Sequence, residues 1–308
     1  MRGVLDACDL GVLEFPLEPR NKTDDEEYEA LWRHTPVTLC IAAACQYRNQ
    51  PRIATCTDWK ASSSLGSAET ADKLRWLKAP NWIALTAGDA AKAEALVRTY
   101  RGGLKDREIT EANAHGFFST IAIGHLMWLK NCYVRQKHGV SWKHFLEKGK
   151  KQFPESVLLN THMQVEAIDL GASLIVAGFI KHGTTMKPLI CKVSRSGAVS
   201  ISDHFEAIGE GLYVASPPLL QRQYDSNVSL IDAVYRLFEA KTLAEIVPSV
   251  GKDTSIDILY PTGELEQVSD RGYDMLESMF RKYGPKRNIK QPKMAGKYFD
   301  GLDFSRLR

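Results

Sequence analysis

The chain has 308 residues, a formal net charge of +3, 25% charged and 44% hydrophobic residues. That is an ordinary globular composition, enough for one large domain or two small ones and too weakly basic to point to nucleic acid. No apolar run approaches the length of a membrane span, so no membrane partner is expected.

Six cysteines are scattered along the chain with no CxxC pair. Such thiols suit a reducing cytosol better than a disulfide framework, and the first residues lack the basic start and apolar core of a secretory signal. A cytoplasmic location is expected. The eight histidines include no HExxH and no ligand-like pairing, so neither a metal nor a cofactor is expected.

Residues 1–35 read as an acidic arm with a short helix over "DDEEYEALW", whose early carboxylates oppose the helix dipole. Residues 36–283 form the main domain. "VTLCIAAACQ" and "RIATCTD" are two strands separated by Arg48-Asn49-Gln50-Pro51, a hairpin signal with a loop of more than minimal length. "ETADKLRWL" and "NWIALTAG" make a second pair, joined at Ala79-Pro80-Asn81. "GDAAKAEALVRTY" is rich in strong helix formers, and Arg101-Gly102-Gly103 is its predicted stop.

A helical insertion is predicted near residues 108–150. Its first piece, "ITEANAHGFFSTIAIGHLMWLKNCYVRQKHG", ends at Gly139, and its second, "SWKHFLEKGKKQF", is capped by Ser141. His125 and Met127 are expected on a packed face rather than in a cofactor site.

Strands return as "ASLIVAGFI", "PLICKVS", "AVSISD" and "FEAIGEG", with turns at His182-Gly183 and Ser196-Gly197. The helices "LYVASPPLLQRQY" and "SLIDAVYRLFEAKTLAEI" follow, then the strands "SIDILYPTG" and "ELEQVS" and a closing helix over "RGYDMLESMFRKYG". Residues 284–308 are a basic tail.

Strands, helices, strands, helices, strands is not the βαβα alternation of a parallel doubly wound sheet. The strands are continuous apolar runs, so both faces of each sheet must be covered. An α+β fold follows, a four-layer αββα sandwich of two antiparallel sheets.

Three stretches, in this order and spacing, resemble the proteasome-type N-terminal-nucleophile (Ntn) hydrolases from Val37 to Val268. "VTLCIAAAC…PRIATCTD" resembles the first hairpin of a proteasome β subunit. "ADKLRWL…NWIALTAGDAAKAEAL" resembles the lysine-bearing strand and the Ala-Gly-x-Ala-Ala helix start. "SLIVAGFI…ISDHFEAIGEG" with "SLIDAVYRLF" resembles the later strands, the Gly-x-Gly turn and the next helix. "TLCIAAAC" is also similar to a group of small bacterial proteasome-like proteins that begin with Met-Thr.

The resemblance implies hydrolysis by a free N-terminal threonine, whose hydroxyl attacks a carbonyl while its own α-amine takes the proton. A lysine lowers the hydroxyl's pKa, an aspartate holds the lysine, and a backbone N–H stabilises the oxyanion. Position by position, the aspartate is Asp58, the lysine Lys73, and the oxyanion turn Ala87-Gly88.

Two registers compete for the nucleophile. Val37 takes the position if Val37-Thr38-Leu39 lies on the β-subunit start, and Thr38 takes it if the small bacterial relatives set the register. A one-residue slip turns every side chain to the other face, so both cannot hold. Cys40 is rejected as a nucleophile because nothing frees its amine or supplies a histidine.

Pro36-Val37 stands where β-subunit precursors have Gly, the family's Asp-x-x-Ser-Gly is absent from "GKDTSIDI", and the Gly-Ser-Gly turn is Gly209-Glu210-Gly211. Thr38, Asp58 and Lys73 are expected to converge with Gly88 nearby. In that expectation the strand through Lys73 lies in the same sheet as the first hairpin, where neighbouring side chains are ~5 Å apart.

The implied function is a threonine peptidase or amidase acting on a peptide or protein substrate, active once Thr38 is the N-terminus. The alternative is an inert, uncut proteasome-like subunit or scaffold. Either is expected to form a homo-oligomer.

Overall fold

The computed structural model describes residues 38–63, 66–69, 72–78, 81–105 and 107–285. The acidic arm with Val37, and the basic tail from residue 286, lie outside the described residues.

The first hairpin pairs β1 (Cys40–Tyr47) with β2 (Gln50–Asp58). Its turn is shorter than the sequence predicts. Tyr47 pairs directly with Gln50, leaving Arg48 and Asn49 as a two-residue loop with φ of 50° and 60°. Asparagine tolerates that left-handed backbone, and such loops match the strand twist. Pro51, read as part of the turn, is in β2.

β3 (Lys60–Ser63) and β4 (Gly66–Glu69) form a small separate ladder that the sequence did not reveal. The strand predicted over "ETADKLRWL" begins only at Leu74, as β5 (Leu74–Lys78), and pairs with β6 (Trp82–Gly88).

Asp89 caps α1 (Ala90–Leu104) by accepting the Lys92 N–H at 2.9 Å. This helix runs through the predicted Arg101-Gly-Gly stop. Gly103 sits against Ile121, whose Cδ1 would be 2.6 Å from a Cβ placed there. The glycine therefore serves a close helix–helix approach, not a helix end.

α2 (Glu111–His138) starts in a Thr110/Asn113 capping box and ends at left-handed Gly139, as predicted. α3 (Trp142–Gln152) is capped by Ser141. α4 (Glu155–Glu166) was not anticipated. His125 is buried as expected, whereas Met127 is 46% exposed.

β7 (Ala172–His182), β8 (Thr185–Val193), β9 (Val199–Ser202) and β10 (Phe205–Ile208) follow. Then come α5 (Leu212–Gln221), α6 (Leu230–Ala244), β11 (Thr254–Leu259), β12 (Leu265–Gln267) and α7 (Asp270–Tyr283).

The fold is α+β with two five-stranded antiparallel sheets, ordered β10-β1-β2-β11-β12 and β5-β6-β7-β8-β9. Alternation along β1 explains their packing. Ile41, Ala43 and Cys45 face one way and join Leu219 of α5, Leu237 of α6 and Leu276 of α7. Cys40, Ala42 and Ala44 face the other way and meet Leu85 of β6 and Ile175 and Ala177 of β7, across from the other sheet.

The outer face of that second sheet, with Ala84, Leu174 and Val176, packs on Leu96 and Tyr100 of α1 and Phe118 of α2. Helices therefore lie against the outer faces of two stacked sheets, an arrangement compatible with an αββα sandwich. A satellite cluster joins Val134, Trp142, Phe145 and Val165 of α2, α3 and α4. Among the described residues no helix is long and apolar enough to cross a membrane.

Candidate active site

Three of the four predicted site residues meet at one point. Thr38 stands just before β1, Asp58 ends β2, and hairpin pairing draws these two ends together, with the Asp58 N–H donating to the Leu39 carbonyl at 3.2 Å. The Thr38 hydroxyl donates to Asp58 Oδ1 at 2.6 Å. The Lys73 ammonium donates to the same carboxylate oxygen at 2.5 Å and to the Thr38 hydroxyl oxygen. All three are buried: Thr38 is 3%, Asp58 0% and Lys73 7% exposed.

Lys73 arrives by a route the sequence reading had wrong. It immediately precedes β5, which belongs to the second sheet, not to the sheet of β1 and β2. The cluster bridges the two sheets instead of joining neighbours in one. The Thr86 N–H of β6 donates to the Lys73 carbonyl at 3.0 Å and fixes that backbone in place.

Asp58 is held on all sides. Oδ1 also accepts the Leu39 N–H at 2.9 Å, and Oδ2 accepts the Gly251 N–H at 2.7 Å. Gly251 is a residue the sequence reading missed. A backbone amide carries no side-chain signal, so nothing in "GKDTSIDI" marks it. The neighbouring loop is tethered by Lys241 of α6, which donates to Glu245 at 2.6 Å and to the Lys252 carbonyl. A fully buried carboxylate with these donors is an anchored counter-charge.

The Gly209-Glu210-Gly211 turn closes over Thr38. Gly209 has φ +94°, and a Cβ there would lie 1.9 Å from the Thr38 carbonyl oxygen. Only glycine permits both that backbone and that approach. Gly88, the fourth predicted residue, makes none of the hydrogen bonds of the cluster. It ends β6 with φ +118°, two residues beyond Thr86, and leads into the Asp89 cap of α1.

Cys40 is adjacent, its thiol donating to the Thr86 carbonyl at 3.4 Å. Burial pushes that thiol up to about 12, against the opposing pull of the Lys73 ammonium. It is a packed thiol, not a thiolate nucleophile.

The cluster can place positive charge against a hydroxyl oxygen and hold that charge still. The nitrogen of residue 38 can accept the hydroxyl proton only where Thr38 is N-terminal, because a peptide nitrogen after Val37 has no basic lone pair. No protein-family model matches the chain, and no curated protein matches it.

Proposed function

We propose that the chain is a proteasome-type Ntn hydrolase with the αββα sandwich of that family. In this reading it is a threonine peptidase or amidase that becomes competent when the Val37–Thr38 bond is cut. The observation that carries the reading is the buried Thr38–Lys73–Asp58 cluster, assembled across two antiparallel sheets at the start of the first strand.

Once Thr38 is N-terminal, its hydroxyl oxygen attacks the substrate carbonyl carbon and its α-amine takes the proton. Lys73 stabilises the developing alkoxide, and Asp58 holds Lys73 in place. The Ala87-Gly88 turn is assigned the oxyanion. Collapse breaks the C–N bond, the departing amine takes the proton, and water then hydrolyses the threonine ester.

A second reading has its own observation. Thr38 and Lys73 are almost wholly buried, which suits an uncut, inert subunit. In both readings the chain self-associates. Exposed apolar pairs one helical turn apart, Ile123 with Met127 and Leu159 with Met163, support that part. Sedimentation showing only monomer at micromolar concentration would count against it.

Intact mass and a peptide-hydrolysis assay separate the readings. A chain released with Thr38 at its N-terminus should cleave fluorogenic peptides, and its Thr38→Ala counterpart should lose at least about 100-fold in rate. Equal activity in the two would end the enzymatic reading. An intact purified chain with no activity after release would favour the scaffold.

A further inference from the structure

At the opposite end of β5 from Lys73, about 15 Å along the strand, lies a cavity of about 420 Å³ that the cluster at Thr38 does not use. Four cations line it: Lys78 at the end of β5, Lys105 and Arg107 from the α1–α2 connection, and Lys181 from β7. One carboxylate, Glu108, shares the wall and pairs at 3.9 Å with Lys181. Lys78 donates to the Arg107 carbonyl at 3.2 Å, which ties Arg107 to the end of β5 without neutralising either charge.

The rest of the lining is largely apolar: Trp82, on the helix-covered face of the sheet, and Phe179 with Met186, on the face toward the other sheet, the two aromatic residues being 5% and 3% exposed. Asn81 contributes a buried amide oxygen with no donor among the described residues. Buried acceptors are normally satisfied, so this one offers a place for a ligand O–H or N–H.

A concave site that gathers one sign of charge above low-dielectric walls concentrates counter-ions. An apolar lining with a few fixed polar groups is the usual make-up of a small-molecule site, and the volume is within the ordinary range.

We propose that this cavity binds a small organic anion: a phosphate or carboxylate held by Lys78, Lys105 and Arg107, on an aromatic or aliphatic body resting against the apolar part of the lining. The site stands independently of the reading of Thr38, because no residue is shared between the two.

Calorimetric titration of the full chain tests it with four probes: 1-naphthyl phosphate, 1-naphthoate, inorganic phosphate and the neutral 1-naphthylmethanol. One of the two naphthyl anions should bind with Kd below about 1 mM, and the tighter of the two identifies the head group. Inorganic phosphate and the neutral alcohol should each bind at least about tenfold more weakly. The double charge reversal K105E/R107E, at two exposed positions that leave the core untouched, should raise Kd at least about tenfold. Raising ionic strength should weaken binding to the native chain. The proposal is overturned if neither naphthyl anion binds, if the alcohol binds as well as the anions, or if the double variant binds like the native chain.

Discussion

The Lys73 ammonium meets Asp58 Oδ1 at 2.5 Å from the opposite sheet, so one ion pair ties the two halves of the fold together. The pair is not symmetrical in its support. Among the described residues Asp58 has three other donors, from Thr38, Leu39 and Gly251, whereas the side-chain partners of Lys73 are Asp58 and the Thr38 hydroxyl.

Removing the carboxylate should therefore cost more than removing the ammonium. Asp58→Ala leaves a buried cation and two buried backbone N–H groups unpaired, and should destabilise by about 3–5 kcal/mol. Lys73→Met leaves Asp58 with three donors and should cost about 1–3 kcal/mol. Urea unfolding of the two variants beside the native chain checks the order, and a reversed order would mean that the charge balance has been misread.

Much of this arrangement was legible in the sequence. Strands such as "CIAAAC" and "ASLIVAGFI" are apolar without alternation, which forces cover on both faces and hence stacked sheets under helices. Thr38 and Asp58 flank a hairpin, so their approach follows from pairing alone. Lys73 was placed in the wrong sheet because a strand's pattern states its burial but not which sheet it joins. The Arg101-Gly-Gly stop failed because Gly103 answers to Ile121 on α2, the next helix, a contact that local propensity does not record. α4 escaped notice because its apolar residues are split between a buried side, with Val165, and an exposed one, with Leu159 and Met163, so no single stripe stands out. Gly251 and the Thr86 amide act through backbone, which side-chain patterns do not record.

Gly209 gives a sharp test of how Thr38 is held. Gly209→Ala places a methyl against the Thr38 carbonyl at left-handed φ, and should destabilise by about 2–4 kcal/mol and abolish any activity of the released chain. Gly183 also has positive φ, +60°, but open space around it. Gly183→Ala should cost only about 1–2 kcal/mol, the backbone part alone. Similar losses in the two variants would remove the steric argument.

His125 predicts how stability responds to acid. Burial holds its imidazole down to about 4, from 6.5, while its Nδ1 lies 2.9 Å from the Thr99 hydroxyl. The folded chain keeps this ring neutral between those values, whereas the unfolded chain takes up a proton. The unfolded state is thus favoured as pH falls through that window. About 2 kcal/mol should be lost from this group between about pH 7 and pH 5. His125→Gln, compared with the native chain by urea unfolding at both values, should flatten that part of the pH dependence. An unchanged slope would show that His125 does not titrate in this way.

The last prediction concerns the proton acceptor in the proposed reaction. If the α-amine of an N-terminal Thr38 is the base, it must be neutral to act, so kcat/KM should rise with pH through the α-amine range, near ~8. Well below that range the rise should be about tenfold per pH unit, because the neutral fraction grows in that proportion. The Lys73 charge acts on the hydroxyl and not as the base. Lys73→Met should therefore lower the rate by about 100–1,000-fold while the rising limb stays. Acetylating the N-terminus of the released chain removes the basic lone pair and leaves the hydroxyl, Lys73 and Asp58 intact, so it should abolish turnover. Retained activity after acetylation, or a rate flat across that range, would show that some other group takes the proton and that Thr38 is not an N-terminal nucleophile.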